Sequence, residues 1–417
     1  MARLRYDLGN ALKLAFDSIR VHKLRSFLTL LGVIIGVASV IMVGSAIEGL
    51  GAYAEQSTAK AFGSDSYLIA QIASAGRLSR KEYFNKIRRN KQLTLSDDRY
   101  LESVNSDNTL YSPYQQHSAD IKRDAFICEE SSVLGVSASL VDIRDITLTE
   151  GRFFTEEEER TRSAAAVIGD ETRNILFPDG GSPLGKEIKI NGIDFVVVGV
   201  QEKLGSAFGR SQDKSAYIPI TVYNRMYGSG QSIAIFGRPK PGTGLSLEQS
   251  LDLTRVALRS KFHNRPGQAD TFDTLTPDAI RGFIDTLLAL VTAVVIPVTC
   301  ISLLVGGIVI MNIMLVSVTE RTREIGIRKA LGARRFDIML QILIESVLMA
   351  CMGGALGVML GALVTEIVAR VFEINMRITW PYVLVSLAVS TIVGVASGWY
   401  PASRAAKLDP IVALRSE

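Results

Sequence analysis

Cysteine, histidine and tryptophan are scarce, with three, three and two in 417 residues. Cys128 stands alone between the first two long apolar runs, and Cys300 and Cys351 fall inside such runs. A disulfide framework is thereby excluded, and Cys128 reads as a small buried hydrophobe. His22, His117 and His263 are too scattered to hold a metal. Gly180, Gly185 and Lys186 have phosphate-loop spacing, yet Glu187 stands where Ser or Thr would meet magnesium, and strand-like sequence follows where a helix N-terminus is needed. With no legible pairing of nucleophile and base, the chain is expected to be non-enzymatic, with no catalytic residue, metal or cofactor of its own.

Charge is missing altogether from four runs. Phe27–Ile47 has 21 residues, Thr286–Thr319 has 34, Ser346–Thr365 has 20 and Ile378–Ser403 has 26, none of them Asp, Glu, Lys, Arg or His. About 20 apolar residues at 1.5 Å each cross a hydrocarbon layer of about 30 Å, so each run predicts a transmembrane helix. The missing ionisable groups exclude a proton relay, an ion ligand or a charged substrate path through the spans. A mean hydropathy of +0.23 beside 21% charged residues fits such a division between lipid and water. The expected fold class is a four-span α-helical bundle with a large mixed α/β extracytoplasmic domain between spans one and two. Its segments are an amphipathic N-terminal helix over 1–26, spans at 27–47, 286–319, 346–365 and 378–403, and the domain at 48–285. A cytoplasmic loop over 320–345, an outer loop over 366–377 and a tail over 404–417 complete it.

Basic residues set the orientation. Residues 1–26, 320–345 and 404–417 hold 15 Lys and Arg, whereas 48–285 holds 29 against 32 acids. By the positive-inside rule both termini and the 320–345 loop are cytoplasmic and the 48–285 segment is outside. The pI of 8.8 then reflects membrane flanks, and nucleic acid is not an expected partner. No short apolar segment with a small-residue cleavage site precedes the first run, which is expected to act as an uncleaved signal anchor.

Thirty-four residues exceed what one crossing needs, which sets Pro297 near the outer boundary, where a kink or interruption is expected. The apolar stretch Gly282–Ile296 would stand outside the lipid as a stalk, with Glu48–Phe62 as its neighbour. Gly recurs every four residues at Gly32 and Gly36, at Gly353, Gly357 and Gly361, and at Gly394 and Gly398, which lets helix backbones approach. Outside the lipid, strands are expected over Ser66–Ile72, Asp124–Cys128, Ser132–Val136, Ala164–Ile168 and Glu187–Val200 with a turn at Asn191 and Gly192. Helices are expected over Thr94–Val104, Asp170–Phe177 and Ser246–His263, and loops over Gly205–Ser211 and Gly228–Ser232, as two or more small lobes.

The loop Glu320, Arg321, Thr322, Arg323, Glu324, Ile325, Gly326, Ile327, Arg328, Lys329, Ala330, Leu331, Gly332, Ala333 carries charges at both ends and an apolar patch of Ile325, Ile327, Ala330 and Leu331. Such a knob suits docking in another protein's groove, and a basic loop resting on anionic membrane lipid is the alternative. The run VSVTERTREIGIRKALGARRFDIMLQILIESV resembles the loop before the third span of MacB-like and FtsX-like ABC transporter permeases. KLRSFLTLLGVIIGVASVI, PLGKEIKINGIDFVVVGV and WYPASRAAKLDPIVALR agree, in the family's order, from residue 23 to residue 415.

The resemblance implies a coupling helix over Glu320–Ala333 seated on an ATPase, with the tail motif of Pro401, Arg404, Asp409 and Pro410 near the same surface. It implies a homodimeric or heterodimeric permease of an inner membrane whose partner binds ATP and magnesium, together with a periplasmic adaptor and an outer-membrane channel. MacB polypeptides begin with an ATPase domain, and only 26 residues precede the first run here, so a separate ATPase subunit is expected. The function expected is mechanotransmission: motion inside drives extracytoplasmic export of a drug, peptide or lipid-linked molecule. Lipoprotein release resembling LolC and LolE, and FtsX-like signalling to a cell-wall hydrolase, are the alternatives.

Overall fold

A computed structural model of the chain describes residues 23–63, 65–207, 210–372, 376, 378–409 and 413. Most of the expected N-terminal helix over 1–26 and the tail residue Pro410 lie outside the described residues. The chain divides into two units, residues 54–284 and the remainder.

In chain order, α1 (Lys23–Phe62) leads to β1 (Tyr67–Ala70), α2 (Arg80–Arg89), α3 (Leu95–Asn105), β2 (Thr109–Arg123), β3 (Phe126–Val136), α4 (Leu140–Ile143), β4 (Leu148–Gly151) and α5 (Glu156–Arg160). Next come β5 (Ala165–Ile168), α6 (Asp170–Leu176), β6 (Glu187–Ile190), β7 (Ile193–Gln201), β8 (Ser206–Ala207), β9 (Arg210–Ser211), β10 (Ser215–Pro219), α7 (Ile220–Tyr227), β11 (Ala234–Pro239), α8 (Leu247–Lys261) and β12 (Asp273–Leu275). Four helices close the chain: α9 (Pro277–Glu320), α10 (Thr322–Ala330), α11 (Arg335–Phe372) and α12 (Trp380–Lys407).

Residues 54–284 form a mixed α/β domain on one ten-stranded sheet, ordered β12-β1-β11-β2-β3-β10-β5-β7-β4, with β6 pairing β2 and β7. The pairs β3–β10 and β5–β7 are parallel; the others are antiparallel. Where two or more separate lobes were expected, the sheet is continuous and three apolar clusters divide its length. The expected strands over Asp124–Cys128 and Ser132–Val136 are one strand, β3, and its partner β2 has no counterpart among the expected strands. Asp124, at φ 51°, turns the chain between them. Between β6 and β7, Asn191 at φ 46° and Gly192 at φ 84° supply the two positive dihedrals of a tight hairpin. Ser246 and Gln249 cap α8 reciprocally, and the Gly205–Ser211 stretch holds the small β8–β9 ladder.

Among the described residues, four helices are long and apolar enough to cross a membrane: Leu30–Lys60, Pro277–Glu320, Arg335–Val371 and Trp380–Lys407. Of the kink or interruption expected at Pro297, no interruption is present, and α9 runs through it. Proline leaves the carbonyl of Ala293 without its helical donor, and in the next turn Thr299 Oγ1 donates to Val295 O at 2.9 Å. Beside it, Leu288 reaches the position a Cβ of Gly51 would take, 3.9 Å away, and Arg281 meets Glu55 at 3.5 Å. Leu290, Val294 and Ile296 stay exposed on the same helix.

Candidate functional site

Glycine decides how the bundle packs. A Cβ on Gly32 would lie 2.7 Å from the Cα of Gly306, so α1 and α9 cross backbone to backbone, and Gly36 admits Leu303. Gly353, Gly357 and Gly361 of α11 receive Val33, Val37 and Ile41 of α1, one turn after another. Gly394 and Gly398 of α12 lie against Ala350 and Ser346 of α11. Every member of these stripes thus faces a helix of the same chain. Gly306, at the closest crossing, was missed by the four-residue spacing because its neighbour is Gly307.

Beyond Glu320 the chain turns at Arg321 and enters α10, whose end is set by Gly332. At φ 96° only glycine sits there without strain, which lets Gly332 N–H donate to Lys329 O and Ala333 N–H to Arg328 O, both at 3.0 Å. Those bonds satisfy two carbonyls that a helix end leaves open. Asp337 Oδ2 then accepts from Arg334 N–H at 3.1 Å where α11 begins.

The inner face of α10 is anchored. Ile325 belongs to the buried cluster with Met314, Ile338 and Ala402, and a Cβ on Gly326 would come within 2.7 Å of the Cβ of Ala413. Lys329 Nζ donates to Ala406 O and Leu408 O, each at 2.6 Å, so a cation caps the carbonyl end of α12. Burial and Arg335 hold that ammonium below the usual lysine range, against the pull of Asp409. Arg328 donates to Gln341 Oε1 at 2.8 Å, and Arg321 meets the carboxylate of Glu345 at 3.5 Å. Between them lies a cavity of about 30 Å³, roughly the room of one water.

The outer face carries Arg323, Glu324, Ile327, Ala330 and Leu331, all exposed and spaced to share one side of the helix. Ile327 is 44% exposed and Leu331 84%, and Phe336 continues the patch into α11. The four-residue apolar patch read from the sequence is therefore divided: Ile325 is core, and the other three are surface. Phe336 was not among the candidates. Of the tail motif, Pro401 is buried in α12 beside Ala402, whereas Arg404 and Asp409 are exposed. Small residues at Ala402, Ala405 and Ala406 leave the room that α10 needs. Cys128 is fully buried among Val133, Phe195 and Ile218.

Compared with known families, residues 26–250 match the MacB-like periplasmic core domain and residues 296–410 the FtsX-like permease C-terminal domain. The chain is 32% identical over 415 residues to the macrolide export ATP-binding/permease protein MacB of Acinetobacter baylyi, covering 98% of this chain and 60% of that protein. Identity to the macrolide export ATP-binding/permease protein MacB 2 of Yersinia pestis bv. Antiqua is 35% over 423 residues, covering 100% of this chain and 59% of that one. It spans about three-fifths of the length of these relatives. Among solved structures, the periplasmic region of MacB from Actinobacillus actinomycetemcomitans is similar at a TM-score of 0.43 and 17% identity, over 54% of this chain and 95% of that one.

Proposed function

The chain belongs to the family of MacB-like, FtsX-like ABC transporter permeases, and from that premise we propose that it relays motion of an ATP-hydrolysing partner at α10 to an extracytoplasmic export step. It is a multi-pass membrane protein with an extracytoplasmic domain between its first two spans. In this reading α10, both termini and the 320–345 loop face the cytoplasm, where basic residues concentrate. The partner is an ABC ATPase that binds ATP and magnesium. A second permease copy covers the exposed apolar side of α9 that carries Leu290 and Val294. The cargo is a drug, peptide or lipid-linked molecule that never enters the uncharged spans, and in a two-membrane cell an adaptor and an outer-membrane channel would receive it.

One observation carries this reading: α10 is held rigidly on one side and bare on the other. A loop resting on headgroups needs no such anchoring. A knob that must pass force to α11 and α12 does, and Lys329, Arg328 and Ile325 fasten it to both. Arg323→Glu combined with Leu331→Asp changes only exposed side chains, so the bundle should keep its melting temperature. Cargo-stimulated ATP hydrolysis by the assembled transporter should fall about tenfold or more, the loss of 1.4 kcal/mol or more at a docking surface. Unchanged turnover with a normally assembled transporter would refute the docking role.

A further inference from the structure

Helix α2 has no core: none of its ten residues is buried. Tyr83, Phe84 and Ile87, spaced to share one face, are 45%, 48% and 38% exposed. The helix is nevertheless fixed at both ends. Ser79 Oγ accepts from Glu82 N–H at 3.3 Å while Glu82 Oε2 accepts from Ser79 N–H at 3.0 Å, a reciprocal cap. At the other end Asp273 gathers Lys86 at 2.6 Å, Arg89 at 3.7 Å and Asn90 Nδ2 at 3.1 Å. A rigid helix that shows water an apolar face is built for something other than packing within its own domain.

Its charge is equally unspent. Glu82 is the single acid of α2 and is committed to the cap. Among the described residues Arg77, Lys81 and Arg88 have no ion-pair partner, and Arg80 rests only over the ring of Phe84, 5.9 Å from its centre. A wide, open depression beside the helix is lined by Ile72, Leu78 and Tyr83 together with Arg77, Arg80 and the capping Glu82.

Free cations alone would suit any polyanion, and bare apolar side chains alone would suit any hydrophobe. Both together, side by side on one open surface, select a molecule with both characters. We propose that this depression binds a single anionic amphiphile, the acidic headgroup between Arg77 and Arg80 and the chain along Ile72, Leu78 and Tyr83. Lys81 and Arg88 add to the attracting field. Calling that molecule cargo rests on the export reading; the binding does not.

The test uses the full chain in a nonionic detergent, without nucleotide, and two photoactivatable lysolipids of one chain length, lysophosphatidylglycerol and lysophosphatidylcholine. Crosslinks to residues 72–89 are read by mass spectrometry. The anionic probe should label that segment about tenfold more than the zwitterionic one, and Arg77→Glu with Arg80→Glu should erase the difference. Arg77→Lys with Arg80→Lys should keep it, which separates lost charge from lost fold. Equal labelling by both probes, or unchanged labelling in the Glu variant, overturns the proposal. Competition by heparin or by an acidic peptide as strong as that of unlabelled lysophosphatidylglycerol overturns it too, in favour of a polyanion or a protein. Failure here leaves the outcome of Leu331→Asp untouched, and failure there leaves this labelling untouched.

Discussion

Asp98 makes the extracytoplasmic domain an acid-stabilised one. It lies in α3 at 4% exposure, and its Oδ1 has no hydrogen-bond partner. Burial pushes its carboxyl up to about 8, the negative charges of Glu102 and Glu159 add to that, and Arg99 opposes it. Glu159, also mostly buried, is pushed up to about 7 although Ala138 N–H donates to it at 2.9 Å. Asp97, the adjacent acid, is held by Lys261 at 2.7 Å. An unfolded carboxyl releases its proton near pH 4, so between about pH 4 and the folded value the folded state binds more protons. Stability is then greatest on the acid side and is lost as pH rises through the folded value, by about 1.4 kcal/mol per pH unit for one proton. From pH 5 to 7 Asp98 alone accounts for about 2.7 kcal/mol, which at roughly 2–4 °C per kcal/mol lowers the melting temperature of such a domain by about 5–11 °C. Asp98→Asn keeps the shape and cannot ionise, so its contribution to that slope should vanish and at pH 8 it should melt above the parent. Trp380 and Trp399 both sit in α12, so tryptophan fluorescence reports the bundle, and the sheet's circular dichroism is the proper probe. If parent and Asp98→Asn lose melting temperature in parallel between pH 5 and 7, the buried-proton reasoning is wrong.

Three further substitutions test the packing. Gly306→Leu drives a side chain into Gly32, where even a Cβ would lie 2.9 Å from backbone; trypsin should cut the detergent-solubilised variant faster than the parent, a cost of about 1–3 kcal/mol or more. Gly282→Ala, on the same helix but in open space, should resist trypsin at least as well. Thr254 Oγ1 bonds both Tyr67 OH and Tyr111 OH at 2.6 Å, so Thr254→Val strips two buried hydroxyls of a partner and should cost about 2–4 kcal/mol in chemical denaturation of the domain. Tyr67 OH keeps Ser250 and Tyr111 OH keeps Asn105 as partners at 3.2 Å, and no loss there would mean that these suffice.

Legibility in the sequence tracked how local the governing force is. The Asn191–Gly192 hairpin and the Ser246–Gln249 cap could be read because their causes lie within a few residues. Strand β2 could not: Pro113, Gln115, Gln116, His117 and Ser118 interrupt every apolar alternation, and the strand exists because β11 and β3 pair with it from elsewhere in the chain. Helix α2 escaped for a different reason: its apolar face is only Tyr83, Phe84 and Ile87, a single turn among charged residues, and none of its residues is buried. At α10 the residue types were legible and their sides were not. Ile325 and Ile327 differ in burial only because Ala402 and Ala405, some eighty positions away, open room on one side.

That non-local room also bears on how a push at α10 would travel. Where flexible side chains separate two helices, a displacement is absorbed by rotamer changes. Here α1 meets α9 through Gly32 and Gly306 and meets α11 through Gly353, Gly357 and Gly361, while α12 meets α11 through Gly394 and Gly398. Backbone or near-backbone contact at each junction leaves little slack, and close-packed interiors pass on strain that they cannot absorb. Lys329 ties α10 to the carbonyl end of α12 and Arg328 ties it to α11, so a load applied at Leu331 enters the bundle at two points. The glycines that permit the fold are therefore the same ones that suit it to carrying motion, and a bulky residue at any of those junctions should cost coupling as well as stability.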